Sequence, residues 1–138
     1  MFPARANAEL AAAAAYERDV LEKNMPAMIE AGRITPDDAA AAIAAWRTIA
    51  ALVESGSTET DLSFADLHLY TSRCLIGLEE AVTKAEGGEA RILVHLIRRR
   101  DLVAVLHAQI ERNRFHADHL AETNLILRRR AAAERKVA

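Results

Sequence analysis

The stretch Gly32-Arg33-Ile34-Thr35-Pro36-Asp37-Asp38 decides how the first half of this chain folds. Thr35 is a good N-cap and Pro36 suits the first position of a helix. The two aspartates that follow favour the positive end of the helix dipole. Gly32 is the residue type that commonly stands just past a helix end. The stretch therefore predicts the short loop of a helical hairpin.

Apolar residues on both sides of this loop recur at helical spacing. Before the loop they are Leu10, Ala14, Leu21, Met25, Met28 and Ile29, and after it Ile43, Trp46, Ile49, Ala50 and Val53. We expect the hairpin to span residues 7–55. Because proline removes a backbone donor, Pro26 predicts a kink or break near Asn24-Met25.

The rest of the chain continues the helical pattern in two segments. A third helix is predicted over residues 63–86, with Ser63 as its cap and Gly87-Gly88 as its stop. A long fourth helix is predicted over residues 89–135, which contain neither glycine nor proline. The third segment buries a stripe that includes Leu67, Tyr70, Cys74, Leu78 and Val82.

The fourth segment carries a heptad pattern, with spacings that alternate between four and three. Its seam residues are Ile92, Leu96, Arg99, Val103, Leu106, Ile110, Asn113, Ala117, Leu120, Asn124, Leu127 and Ala131. A helix of about 47 residues is about 70 Å long, which is longer than a compact domain of this size. The segment must either break, near Arg98–Asp101 or Asn113-Arg114, or project and pair with another copy. The unbroken period favours pairing.

Composition agrees with a single all-α domain over residues 1–138, built as a bundle or a coiled-coil assembly. Hydrophobic residues make up 51% of the chain and aromatic residues 4%, and there are only 5 Gly and 3 Pro. The one cysteine cannot form an intrachain disulfide, which favours a reducing compartment. No apolar run approaches the roughly 20 residues of a membrane helix. We therefore expect a cytoplasmic protein without a membrane partner.

Charge is distributed unevenly along the chain. Residues 1–88 hold 7 Lys or Arg against 14 Asp or Glu, and residues 89–138 hold 11 against 6. An acidic front and a basic tail favour complementarity within or between subunits. The alternative is a basic surface for nucleic acid. The residues that would contact nucleic acid are Arg112, Arg114, Arg128, Arg129, Arg130, Arg135 and Lys136.

The hairpin also carries a pattern known from another group of proteins. In order, its residues are Met25-Pro26, Ile29, Gly32-Arg33-Ile34-Thr35, Ala39, Ile43, Trp46 and Ile49. Residues 18–52 thereby resemble short helical prophage-borne proteins of unknown function, often written Y-P-x-x-V-x-x-G-R-M-T-x-x-x-A-x-x-x-I-x-x-M-x-x-I. Met25, Ile34 and Trp46 replace the aromatic residue and the two methionines of that pattern. The resemblance implies a helical hairpin and an origin in a mobile element, and it assigns no catalytic residue.

Few residues suggest catalysis or metal binding. His116 and His119 share a helical face with Glu122, and this is the best metal-ligand spacing in the chain. A third ligand of convincing spacing is missing, so a metal-dependent enzyme at these residues is the weakest alternative. His107 and Glu111 form an ordinary surface pair one helical turn apart.

Two further residues, His68 and Cys74, are of types that can be reactive. His68 has no evident carboxylate partner in the sequence, and Cys74 lies among apolar residues, which predicts an inert thiol. We therefore expect no enzyme activity and no cofactor.

The leading hypothesis is a non-enzymatic interaction or assembly protein of a mobile genetic element that acts through helix–helix contacts. We expect a homo-oligomer, most simply a dimer. The predicted self-association residues are Val103, Leu106, Ile110, Leu120, Asn124 and Leu127. A nucleic-acid-binding accessory protein that uses the basic last helix is the first alternative.

Overall fold

The computed structural model describes residues 4–56 and 60–137, apart from the side chains of residues 4–7, 116–122 and 137. The described ranges contain four helices and no strand: α1 (Ala4–Glu30), α2 (Pro36–Ser55), α3 (Phe64–Ala85) and α4 (Ala90–Val137). The predicted all-α class is confirmed, and each helix begins and ends within a few residues of its predicted range. No helix in these ranges combines the length and the apolar character that crossing a bilayer requires.

The first two helices form a hairpin around the loop predicted from the sequence. Thr35 Oγ1 accepts a hydrogen bond from the backbone N–H of Asp38 at 3.2 Å, so it caps α2. Gly32 has a φ of 69°, which lets the chain turn at the end of α1. α1 remains helical through Pro26, so the predicted interruption does not end the helix.

The last two helices form a second hairpin. Ser63 Oγ caps α3 by accepting a hydrogen bond from the N–H of Asp66 at 3.1 Å. Gly87 turns the chain with a φ of 80°. The two hairpins pack together where α1 meets α4 and α2 meets α3.

The main core lies between the hairpins and takes residues from all four helices. Its buried members are Leu10, Ala14, Ala45, Trp46, Ile49, Ala50, Leu67, Leu78, Val103, Leu106 and Ile110. Trp46 is only 2% exposed. A second, smaller cluster of Met25, Ala39 and Ala42 lies near the loop of the first hairpin, and Ile29 packs there.

α4 is one unbroken helix of 48 residues, about 72 Å long at 1.5 Å per residue. α3 has 22 residues and runs antiparallel to α4, so it covers only the first half of α4. The remainder projects beyond the bundle. We call residues 123–137 the distal arm. Between residues 123 and 136 every side chain is exposed except the half-buried Ala131.

Half of the residues predicted for self-association are buried inside the chain's own core, so the prediction is wrong for them. Val103, Leu106 and Ile110 are 1%, 2% and 6% exposed because α1 and α3 of the same chain cover them. They are core residues and cannot contact a second copy. Asn124 and Leu127 are exposed on the distal arm. The side chain of Leu120 lies outside the described residues.

Candidate functional site

A cavity of about 600 Å³ lies between the two hairpins, where all four helices contribute to its wall. Volumes of this size are typical of small-molecule sites. Most of the wall is apolar, and it includes Trp46, Leu78 and Leu96. The polar side chains at the wall are Glu17, Asp38, Tyr70, Arg73, Cys74 and Arg99.

A buried ion pair joins α1 to α4 at this cavity. The guanidinium of Arg99 donates to Glu17 twice, from Nε to Oε2 at 3.0 Å and from Nη2 to Oε1 at 2.6 Å. The Glu17 side chain is 5% exposed and that of Arg99 is 21% exposed. Two parallel bonds of this kind fix orientation as well as distance. Arg99, a polar interruption of the heptad pattern, is therefore where the two hairpins are held in register.

Cys74 of α3 belongs to the same network. Its thiol donates to Glu17 Oε1 at a sulfur–oxygen distance of 3.6 Å. Burial first, and then the neighbouring Glu17 carboxylate, together raise the pKa of the Cys74 thiol to about 12. A thiol with this pKa is a poor nucleophile. The inert character expected from the sequence agrees with this geometry, and Glu17 is the cause that the sequence did not reveal.

Aromatic rings complete the surroundings of Arg99. The guanidinium carbon lies 5.1 Å from the centre of the Tyr16 ring, a cation–π distance. The Tyr16 hydroxyl is 3.1 Å from Nε2 of His95, and their rings meet edge to face. The ion pair with Glu17 raises the pKa of Arg99, so the guanidinium stays charged.

The network is saturated, which limits what it can do chemically. Glu17, Arg99 and Cys74 all have partners, and no buried side-chain nitrogen or oxygen in the described part of the chain lacks one. General acid–base catalysis needs a group that can exchange a proton with a substrate. The network is therefore suited to holding the hairpins together rather than to catalysis.

The candidate metal ligands fall in two places. His116, His119 and Glu122 lie on α4, and their side chains are outside the described residues. The structure brings together another set, His68 of α3 with His107 and Glu111 of α4. His68 thus has a carboxylate partner after all, because Nε2 lies 3.9 Å from Glu111 Oε1. His68 and Glu111 are 43 positions apart in the sequence, so no local spacing indicates this pair.

The basic residues predicted to contact nucleic acid are spread along the second half of α4. Arg112 is exposed and Arg114 is half-buried beside the bundle. The others are exposed on the distal arm: Arg128, Arg129, Arg130, Arg135 and Lys136. The arm also exposes Leu125, Ile126 and Leu127, so it presents apolar and basic side chains together.

No protein-family model, curated protein or solved structure matches this chain. The resemblance of residues 18–52 to prophage proteins therefore stays a prediction. The function of the chain therefore depends on what the geometry of its own residues supports.

Proposed function

We propose that this chain is a non-enzymatic assembly protein of a mobile genetic element, acting in the cytoplasm, whose distal arm pairs with the arm of a second copy. The observation that carries the proposal is the exposure of three consecutive large apolar residues on a helix beyond the bundle. Leu125, Ile126 and Leu127 are 47%, 46% and 54% exposed. The origin in a mobile element is supported by the resemblance of residues 18–52 alone.

The heptad pattern supports a helical partner for the arm. Counting from the buried seam, Asn124 takes an a position, Leu127 a d position and Ala131 the next a position. Leucine at d is typical of paired helices, and an asparagine at a selects register at some cost in stability. The heptad positions Val103, Leu106 and Ile110 are buried inside the bundle. The same heptad continues along α4 into the arm, which its own chain does not cover.

Charge favours an antiparallel pair. Between residues 123 and 137 the arm holds five basic residues and one acidic residue, so two parallel arms would repel each other. In an antiparallel pair, the tip of each arm lies beside the bundle of the partner. It reaches the end of that bundle from which the partner's own arm projects. α2 ends and α3 begins at that end. Exposed carboxylates in the described residues at that end include Glu54, Asp61, Asp66 and Glu111.

Sedimentation of the full chain tests the proposal. We expect a dimer of the 15.1 kDa chain at micromolar concentration. Leu127→Asp should shift the equilibrium to monomer while the helicity of the chain stays unchanged, because Leu127 is exposed on the arm and does not belong to the core. Ala133→Asp is the matched control, since it adds the same charge on the face of the arm turned away from Asn124 and Ala131. A wild-type chain that stays monomeric at 100 µM, or equal effects of both variants, would contradict the proposal.

The exposed arginines of the arm favour one alternative, an accessory protein that binds nucleic acid. Cationic helices bind phosphate backbones through counterion release. Adding duplex DNA to the same sedimentation experiment distinguishes the two functions. A complex that forms at near-physiological salt and survives Leu127→Asp would favour the alternative.

A further inference from the structure

Two imidazoles and a carboxylate converge between α3 and α4, and none of the three residues lines the cavity. One donor atom each from His68, His107 and Glu111 can be chosen so that all three lie within 4.8 Å of one another. The two imidazole rings are 4.4 Å apart between centres and tilted by 37°. His107 and Glu111 stand one turn apart on α4, and α3 supplies His68.

Thr71 orients one of these histidines. Its hydroxyl lies 3.1 Å from the carbonyl oxygens of Leu67 and His68, to which it donates, and 2.9 Å from Nδ1 of His107. With its single proton donated to these carbonyls, the hydroxyl can accept a hydrogen bond from His107 in the tautomer that carries Nδ1–H. This contact leaves the lone pair on Nε2. Metal-binding histidines are commonly oriented by such a second hydrogen bond.

Burial is the main electrostatic influence on His107. Burial lowers the pKa of His107, and the nearby His68 lowers it further, while Glu111 opposes them. A divalent cation between the three groups would neutralise the charge of Glu111. It would accept one lone pair from each of the two imidazoles.

We propose that His68, His107 and Glu111 bind one Zn²⁺ ion, with a fourth position open to water or another ligand. Two histidines and one glutamate are a zinc ligand set of the open kind. Bonds of about 2.0–2.2 Å in a tetrahedron require donors about 3.3 Å apart, so the site must contract by roughly 1 Å. Glu111 can make this movement because its side chain is 67% exposed.

Titration of the metal-free full chain with Co²⁺ and Zn²⁺ tests the site. We expect one equivalent of Co²⁺ to give the visible absorption of a tetrahedral ion and to be displaced by Zn²⁺. His68→Gln, His107→Gln and Glu111→Gln should each weaken binding by at least about tenfold. Glu111→Gln is the most informative of the three, because this exposed residue can change without disturbing the core.

Two controls make the result specific. His95→Gln removes a histidine of the same helix that contacts Tyr16 instead, and it should bind metal as the wild type does. The double variant His116→Gln, His119→Gln tests the pair singled out from the sequence. The proposal is wrong if the chain binds no Co²⁺ at millimolar concentration. It is equally wrong if binding survives Glu111→Gln unchanged, or if the His116, His119 variant alone abolishes it.

Discussion

Glu17 accepts hydrogen bonds from two other helices although most of the side chains around it are apolar. Two come from Arg99 of α4 and one from Cys74 of α3. Breaking a buried ion pair costs more than replacing both partners, because one charge is then left without compensation. The two ends of this pair are unequal, since Arg99 can reach solvent and Glu17 cannot.

Arg99→Met should therefore destabilise the chain strongly, by about 3–5 kcal/mol. Adding Glu17→Leu should recover much of the lost free energy of unfolding, because it removes the buried carboxylate that Arg99→Met leaves without a partner. Urea unfolding of both single variants and the double variant measures the coupling. Arg18→Met is the control, since Arg18 pairs with exposed Asp19 on the surface. Additive losses in the double variant would contradict the proposed role of the pair.

Cys74 should react slowly with alkylating reagents in the native chain. With a pKa of about 12, its thiolate fraction at pH 8 is about three orders of magnitude below that of a free cysteine. Higher intrinsic nucleophilicity recovers part of this difference, so we expect a rate at least about tenfold lower. Glu17→Gln should accelerate the reaction, and the chain unfolded in guanidinium should react at the ordinary rate. Equal alkylation rates of Cys74 in the native and the unfolded chain would contradict a protected thiol in the folded state.

The same pKa makes stability depend on pH in the alkaline range. Because the pKa of Cys74 is higher in the folded chain than in the unfolded chain, the protonated thiol stabilises the fold below a pH of about 9. That contribution disappears as the pH rises toward 12. A Cys74→Ala variant, compared by unfolding over this range, should show a correspondingly smaller loss.

At the scale of the helices, the caps are individual sources of stability. Thr35→Ala should destabilise the chain by about 1 kcal/mol, because the N–H of Asp38 loses its partner. Thr48→Ala is the matched control: its hydroxyl bonds to the Ala44 carbonyl inside α2, where alanine is the better helix former. Chemical unfolding compares the two. A control loss as large as that of Thr35→Ala would show that the cap has no special role.

The helices were predictable because their signals are local. Thr35, Ser63 and Gly87 act within a few residues of where they stand. The cavity network was not predictable, since Glu17 and Arg99 are 82 residues apart and no periodicity connects them. The heptad pattern marked a face of α4 that is buried at Val103, Leu106 and Ile110, although Ile92 at its start is exposed. It could not show that α1 and α3 cover the half that includes Leu106, because periodicity reports burial and not the identity of the partner.

At the scale of the whole molecule, the proposed dimer depends on the attraction between an acidic bundle and a basic arm. Reversing Arg128, Arg129 and Arg130 to Glu should weaken self-association and leave the fold unchanged, because all three are exposed. Sedimentation at two salt concentrations checks this, since screening should weaken the wild-type dimer in the same direction. If the arm binds nucleic acid instead, the reversal should abolish a duplex affinity that falls by roughly 0.9 log units per log unit of salt for each phosphate contacted.

The separation of the small cluster around Met25 from the main core implies that the molecule does not open all at once. The buried residues of this cluster are Met25, Ala39 and Ala42, and the side chains that pack on both clusters, Leu21 and Tyr70, are only partly buried. Amides there should exchange with deuterium through a local opening of low free energy, whereas those near Ile49 and Leu106 should exchange only when the entire chain unfolds. The hairpin that resembles the prophage proteins would then behave as two cooperative units, with its tip able to melt while its base stays attached to α4.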